Sequence, residues 1–268
     1  MPAGTREPGT GDAAPVLYMR AIAALSGAGV QFLVGGTHAL SHYTGIARDS
    51  KDFDIFVRRT DFDAVMRVLG GCGFVTTLTY PHWLGKASGP DGFLDVIFSS
   101  GNGISAVDDA WFEHSVDGEA FGLPVRLSPA EEMIWSKAFI MERERYDGAD
   151  VMHLLLARAA QLDWARLLER FGPHWRVLFS HLCLFGFIYP SERNRIPAWV
   201  MSGLMGRLDH EMRTPVPTER IAQGTLVSRQ QYLVDVERWG FRDARLTQSS
   251  PMTHSEVAQW TREIERSR

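Results

Sequence analysis

The 268-residue sequence holds only two cysteines, Cys72 and Cys183. That is too few for a disulfide framework, and they lack the paired spacing of a metal-ligand set. Both sit among apolar neighbours and are expected to be buried, inert thiols in a reducing compartment. Long apolar runs are missing too: nothing approaches the ~18 uninterrupted residues of a membrane span, and the N-terminal stretch has no apolar core of the signal-peptide kind. A soluble, cytoplasmic protein with no membrane partner is expected. Neither sign of charge dominates: 28 Lys and Arg stand against 32 Asp and Glu, a formal net charge of -4, which gives no global field for drawing in nucleic acid. G-x-x-x-x-G-K and G-x-G-x-x-G are both absent, as is H-E-x-x-H. His38 and His42 share a helical spacing without the glutamate of a zinc site, so they are expected on the surface or along a pocket.

What is present is ordinary globular material, 45% hydrophobic and 22% charged, enough for one large domain or two modest ones. Residues 1–15, rich in Gly, Pro and small side chains, read as a mobile tail. The stripe of Leu17, Ala21, Ile22 and Leu25 predicts a helix ending at Gly27 and Gly29. "QFLVGG" reads as a short strand, "THALSHYTG" as a helix opened by Thr37, and "DFDIFV" as a second strand. A helix from Thr60-x-x-Asp63 to Gly70-Gly71 follows. Residues 73–79, 92–99 and 122–127 read as further strands, the last at an edge because of Pro124.

Ser128-Pro129-x-Glu131 has the pattern of a capping box and opens a helix expected to run to about Arg145. Residues 150–186 then carry helical periodicity. The fold class expected is α/β (α+β): a small mixed β-sheet domain flanked by helices over 16–128, then a mainly α-helical domain over 129–268. Trp164, Trp175, Trp199 and Trp239 are expected in packing roles. In 224–246, Arg229, Tyr232, Arg242, Asp243 and Arg245 are open to two readings, lining a pocket or tying the segment to the core. A short, charged, peripheral helix is expected from Thr253-x-x-Glu256.

The question the sequence poses is why two aspartates stand inside the strand "DFDIFV". Side chains alternate faces along a strand, so Asp52 and Asp54 project together while Phe53, Ile55 and Val57 enter the core. Two like charges ~4 Å apart repel by roughly 4 kcal/mol at an effective dielectric near 20, and a divalent cation relieves this. Hard carboxylate oxygens suit Mg²⁺, with Mn²⁺ a possible substitute. Asp95, in "GFLDVIFSS", is a third carboxylate in a strand pattern. If that strand lies beside the first, the three can hold two ions for an in-line phosphoryl or nucleotidyl displacement. Gly35-Gly36-Thr37 stands where a strand hands over to a helix, a suitable cradle for phosphates at a helix N-terminus, although a plain tight turn uses the same residues.

"GGTHAL", "RDSKDFDIFV" and "LDVIF" together resemble the nucleotidyltransferase superfamily typified by DNA polymerase beta, over about residues 16–128. The resemblance implies an Mg²⁺-dependent, cytoplasmic enzyme that moves a nucleoside monophosphate from a nucleoside triphosphate, such as ATP, to an acceptor hydroxyl. Asp52, Asp54 and Asp95 would be the catalytic and metal-binding residues, with Gly35, Gly36 and Thr37 on the nucleotide. Arg48 and Ser50 match the prelude to the aspartates in many members; Arg48 either binds phosphate or balances the carboxylates. "MERERYDGADVMHLL" is similar to the helical motif of AbiE-type toxin nucleotidyltransferases. It places Lys137 on phosphates and Asp147 beside a basic residue or the acceptor, with Arg143, Arg145 and Asp150 in the matching positions; an exposed charged helix face is the other reading. The acceptor is a small molecule, a tRNA or a protein, and mild acidity favours the first. The alternative is a nucleotide- or partner-binding module on the same fold that does no chemistry.

Overall fold

The structure is a computed structural model, and it describes residues 13–48, 50, 52–247 and 252–266. The expected tail lies outside the described residues except for 13–15, which begin the first helix. That helix, α1 (Ala13–Gly27), is followed by β1 (Leu33–Val34), α2 (Gly36–Thr44), β2 (Asp52–Phe56), α3 (Phe62–Gly71), β3 (Val75–Tyr80), β4 (Leu84–Gly89) and β5 (Gly92–Ile97). Next come α4 (Asp109–Glu113), β6 (Val116–Ala120) and β7 (Leu123–Leu127). The remainder is mainly helical: α5 (Ala130–Ala138), α6 (Gly148–Arg158), α7 (Trp164–Phe171), α8 (Trp175–Ile188) and α9 (Ala198–Met212). The chain ends with β8 (Ile221–Ala222), α10 (Leu233–Glu237), β9 (Arg242–Asp243) and α11 (His254–Arg266). The molecule is mixed α/β, as expected.

Seven strands form one sheet in the order β3-β4-β5-β2-β1-β7-β6. β2 runs parallel to β5 and β1 parallel to β7, while the other pairings are antiparallel. Alternation sorts the side chains of the central strands. Phe53, Ile55, Leu94 and Val96 are fully buried on one face, against which α1 and α3 pack, and Asp52, Asp54 and Asp95 are half-buried on the other. The apolar core continues without a break from the sheet into the helices beyond residue 128.

Several local expectations are corrected. β7 is flanked by β1 and β6 and is not an edge strand; Pro124 is tolerated because β1 reaches β7 only at Val34 opposite Leu127, so no ladder partner is lost beside the proline. The Ser128 capping box does not form. Its hydroxyl has no hydrogen-bond partner among the described residues, and Glu131 instead accepts from the backbone N–H of Asp163 at 2.7 Å. α5 stops at Ala138, seven residues before the expected end at Arg145, because Met141 leaves the helical path to donate its N–H to the Val227 carbonyl at 3.0 Å. Trp164 and Trp175 are buried as expected, but Trp199 and Trp239 are exposed. Cys72 is half-buried and Cys183 is exposed on α8, so the expectation of two buried thiols fails.

Candidate active site

The two central strands create the site through their register. In the parallel pairing of β2 with β5, Asp54 lies opposite Asp95 and Asp52 opposite Phe93. Three carboxylates therefore share one face, and an oxygen from each lies within 4.8 Å of the others. Like charges so close raise one another's proton affinity. Burial and the charges of Asp52 and Asp95 push the Asp54 carboxyl up to about 7, against the pull of Lys137 and Arg145. Asp95 is also raised, chiefly by burial, and Lys86 opposes the shift. A cluster that resists full ionisation when bare has the donor set of a divalent-cation site, hard oxygens with excess negative charge.

The glycine corner is tied to this cluster. The N–H of Gly35 donates to the Asp54 carbonyl at 3.0 Å. Gly36 has φ +54, and a Cβ there would run into the Asp54 carboxylate; one on Gly35 would meet the Phe56 ring and the Ser128 hydroxyl. Only glycine lets the start of α2 lie so close to an acidic side chain. Gly35, not Thr37, is the N-cap, and no side chain caps the helix there. Thr37 sits one residue inside the helix, so its hydroxyl is not in the capping position.

The remaining predicted residues form a chain of ion pairs. The Lys137 ammonium reaches Asp147 at 2.7 Å and Asp150 at 2.8 Å. Arg145 grips Asp147 through Nε and Nη2, both at 2.9 Å, and Arg48 pairs with Asp150. Burial alone would raise Asp147, but the hydrogen bonds of Arg145 and the charge of Lys137 outweigh it and hold its carboxyl at about 2. The early end of α5 makes this possible. On a continuous helix Lys137 and Asp147 would stand ~15 Å apart along the axis. Here residues 139–147 double back through an antiparallel bridge between Met141 and Tyr146. Ser50 donates its hydroxyl to Asp52, and Arg143 is exposed.

Lys86 was not anticipated. It lies opposite Asp95 in the antiparallel β4–β5 register, with its ammonium 2.8 Å from one Asp95 oxygen and 4.1 Å above the Phe93 ring. The carboxylates, Gly36, Lys137, Arg145 and Asp147 all line one cavity of about 250 Å³. Its far wall comes from the C-terminal part of the chain, including Leu226, Val227, Arg229 and Trp260. α11 is therefore not peripheral. Of the cluster left open in 224–246, Arg229 lines the cavity. Arg245, fully buried, and Asp243 instead tie the segment down with an ion pair at 2.6 Å. Tyr232 packs over Gly224 and Arg242 is exposed. His38 is half-buried, edge-on to Phe53 and Phe121.

Among solved structures, the chain is similar to the antibiotic-resistance factor ANT(2'')-Ia, with 17% identity and a TM-score of 0.42, covering 63% of this chain and 94% of that one. It is also similar to the lincosamide antibiotic adenylyltransferase LnuA, solved with lincomycin bound, at 13% identity and a TM-score of 0.38 over 55% of this chain and 98% of that one. A third likeness, at 13% identity and a TM-score of 0.35 over 63% and 92% of the two chains, is to a nucleotidyltransferase-like protein from Paracoccidioides brasiliensis. Two of the three are thus named as an adenylyltransferase and a nucleotidyltransferase-like protein. No family model and no curated protein matches the sequence.

Proposed function

We propose that this chain is a metal-dependent nucleotidyltransferase. The observation that carries the reading is the convergence of Asp52, Asp54 and Asp95 within 4.8 Å beside a helix start that only glycine can bring so near. Asp52 and Asp54 would hold two Mg²⁺ ions, or Mn²⁺ in their place, and Asp95 one of them. When bound, the ions would neutralise the triphosphate and orient it for in-line attack. Gly36 and Thr37 offer backbone N–H groups to the β- and γ-phosphates, and Gly35, whose own N–H is held by the Asp54 carbonyl, lets the corner approach them without a side chain in the way. Lys137, held by Asp147 and Asp150, faces the same space as a phosphate ligand, and Arg145 stands beside it. Ser50 orients Asp52. Arg48, paired with Asp150, balances charge at the rim rather than binding phosphate.

In the reaction, an acceptor hydroxyl oxygen bonds to the α-phosphorus of a nucleoside triphosphate. The hydroxyl proton passes to the Asp95 carboxylate, and the bond from the α-phosphorus to its bridging oxygen breaks to release pyrophosphate. The protein contributes placement and charge rather than covalent chemistry.

Calorimetry with ATP, GTP, CTP and UTP, with and without Mg²⁺, is expected to show binding of at least one triphosphate that requires the metal. Labelled triphosphate mixed with cell extract fractions should then release pyrophosphate and label an acceptor. Asp54→Asn is expected to abolish metal-dependent binding while raising the melting temperature in EDTA at pH 8, because it removes one charge from the crowded cluster. Full transfer by Asp54→Asn or Asp95→Ala would eliminate the assignment.

A further inference from the structure

On the nucleotidyltransferase reading above, we propose that the part of the cavity beyond Asp95 is an acceptor chamber. It is shaped for a small uncharged molecule with an apolar ring or branched body and a second oxygen remote from the reacting hydroxyl. The order of the sheet places it. The glycine corner follows β1, Asp54 is on β2 and Asp95 on β5, so the triphosphate side and the side beyond Asp95 lie across the cluster from each other. Beyond Asp95 the cavity runs toward the C-terminal end of β5, between Ile97, Trp83 and the loop that holds Ser105, and is closed by Leu226 and Trp260.

The aromatic part of these walls is stiff. Trp83 stacks on Tyr80 with ring centroids 5.7 Å apart, and Trp260 meets Trp83 edge-on at 5.0 Å. Polar side chains share this lining, with Ser99, Ser100, Asn102 and Thr225 beside Ser105. The indole Nε1 of Trp83 and the hydroxyl of Ser105 are buried with no hydrogen-bond partner among the described residues, and Ser105 is only 1% exposed. Donors stranded in a buried wall destabilise a fold unless something satisfies them. An oxygen on a bound molecule that reaches either atom would satisfy it.

Charge argues for a neutral guest. Arg229, beside the chamber, lies 3.8 Å above the Trp260 ring and is paired with Glu142 at 3.1 Å, so it offers no unpaired charge to a phosphate. A nucleic-acid end would have to bring its phosphates past Asp95 and Glu142, which both line the cavity.

The test uses the full chain with benzyl alcohol and cyclohexanol as probes, read by the indole N–H resonances in ¹H–¹⁵N NMR spectra. Both alcohols are expected to shift the Trp83 and Trp260 signals saturably. Ser105→Ala should weaken that binding by about three- to tenfold, the worth of one hydrogen bond. Trp83→Phe, read from Trp260, should do the same. Both variants should melt no lower than the unaltered protein and bind triphosphate with Mg²⁺ as before. Unmoved indoles, or indoles moved by a short oligoribonucleotide and not by the alcohols, would overturn the chamber alone, as would variants that melt lower yet hold the alcohols as tightly. Absence of Mg²⁺-dependent triphosphate binding in the unaltered protein would instead overturn the functional reading beneath it.

Discussion

At the scale of the residue, Gly36 carries the sharpest demand. Its φ of +54 disfavours any side chain, and the Asp54 carboxylate occupies the place a Cβ would take. Gly36→Ala is expected to cost roughly 1–3 kcal/mol of stability through backbone strain and displacement of Asp54. It should also weaken Mg²⁺-dependent triphosphate binding, where a mere turn glycine would affect stability alone. Thermal melts with calorimetry separate the two. Asp147 makes a pH prediction. Its carboxyl is depressed from the ordinary 3.8 to about 2, so it contributes stability that is fully present above pH 4 and lost as pH falls through 2. The contribution is on the order of 2 kcal/mol. Asp147→Asn should flatten acid unfolding across that window and lower stability at pH 7, since Lys137 then keeps only Asp150 of its two partners; an unchanged acid limb would contradict the pairing.

At the scale of the element, legibility follows local pattern. β2, β5 and α3 were readable because their apolar residues repeat at periods of two or 3.6 with clear stops. β4 was not: "LGKASG" offers no β-branched or aromatic residue, and it is a strand only because β3 and β5 pair with both of its edges. Lys86 was hidden with it, since register across strands cannot be read from one segment. The end of α5 escaped for the opposite reason. Phe139, Ile140 and Met141 prolong the apolar pattern without glycine or proline, and the stop comes from a backbone partner 86 residues away, Val227. By contrast the box at Thr253 and Glu256 forms as written, with hydrogen bonds in both directions. The position of Lys86 on β4 yields a signed expectation. Lys86→Met removes a positive charge next to the carboxylates proposed to hold the metal, so half-maximal Mg²⁺ stabilisation should need several-fold less metal, while transfer slows as Asp95 loses its anchor. Its partly exposed ion pair is worth at most about 1 kcal/mol, so the melting temperature should barely move. Weaker Mg²⁺ binding would show that Lys86 aids the metal instead.

At the scale of the whole molecule, the site is composite. The carboxylates come from the sheet, the paired cations from the end of α5 and the turn after it, and the far wall from α11 and the segment before α10. No helix among the described residues is long and apolar enough to cross a membrane. Trp260 couples the last helix to the cavity through Tyr80, Trp83 and Arg229. Trp260→Ala is expected to cost about 2 kcal/mol, or roughly 4–8 °C in melting temperature. It should empty the alcohol-binding end and leave triphosphate binding in place; loss of both would mean that α11 supports the carboxylates as well. The composite build also sets a sequence of events during synthesis. The acidic trio leaves the ribosome on the order of ten seconds before Trp260 does, at ordinary elongation rates. The wall that closes the cavity is therefore completed only when the last helix has emerged, long after the strands that carry the carboxylates.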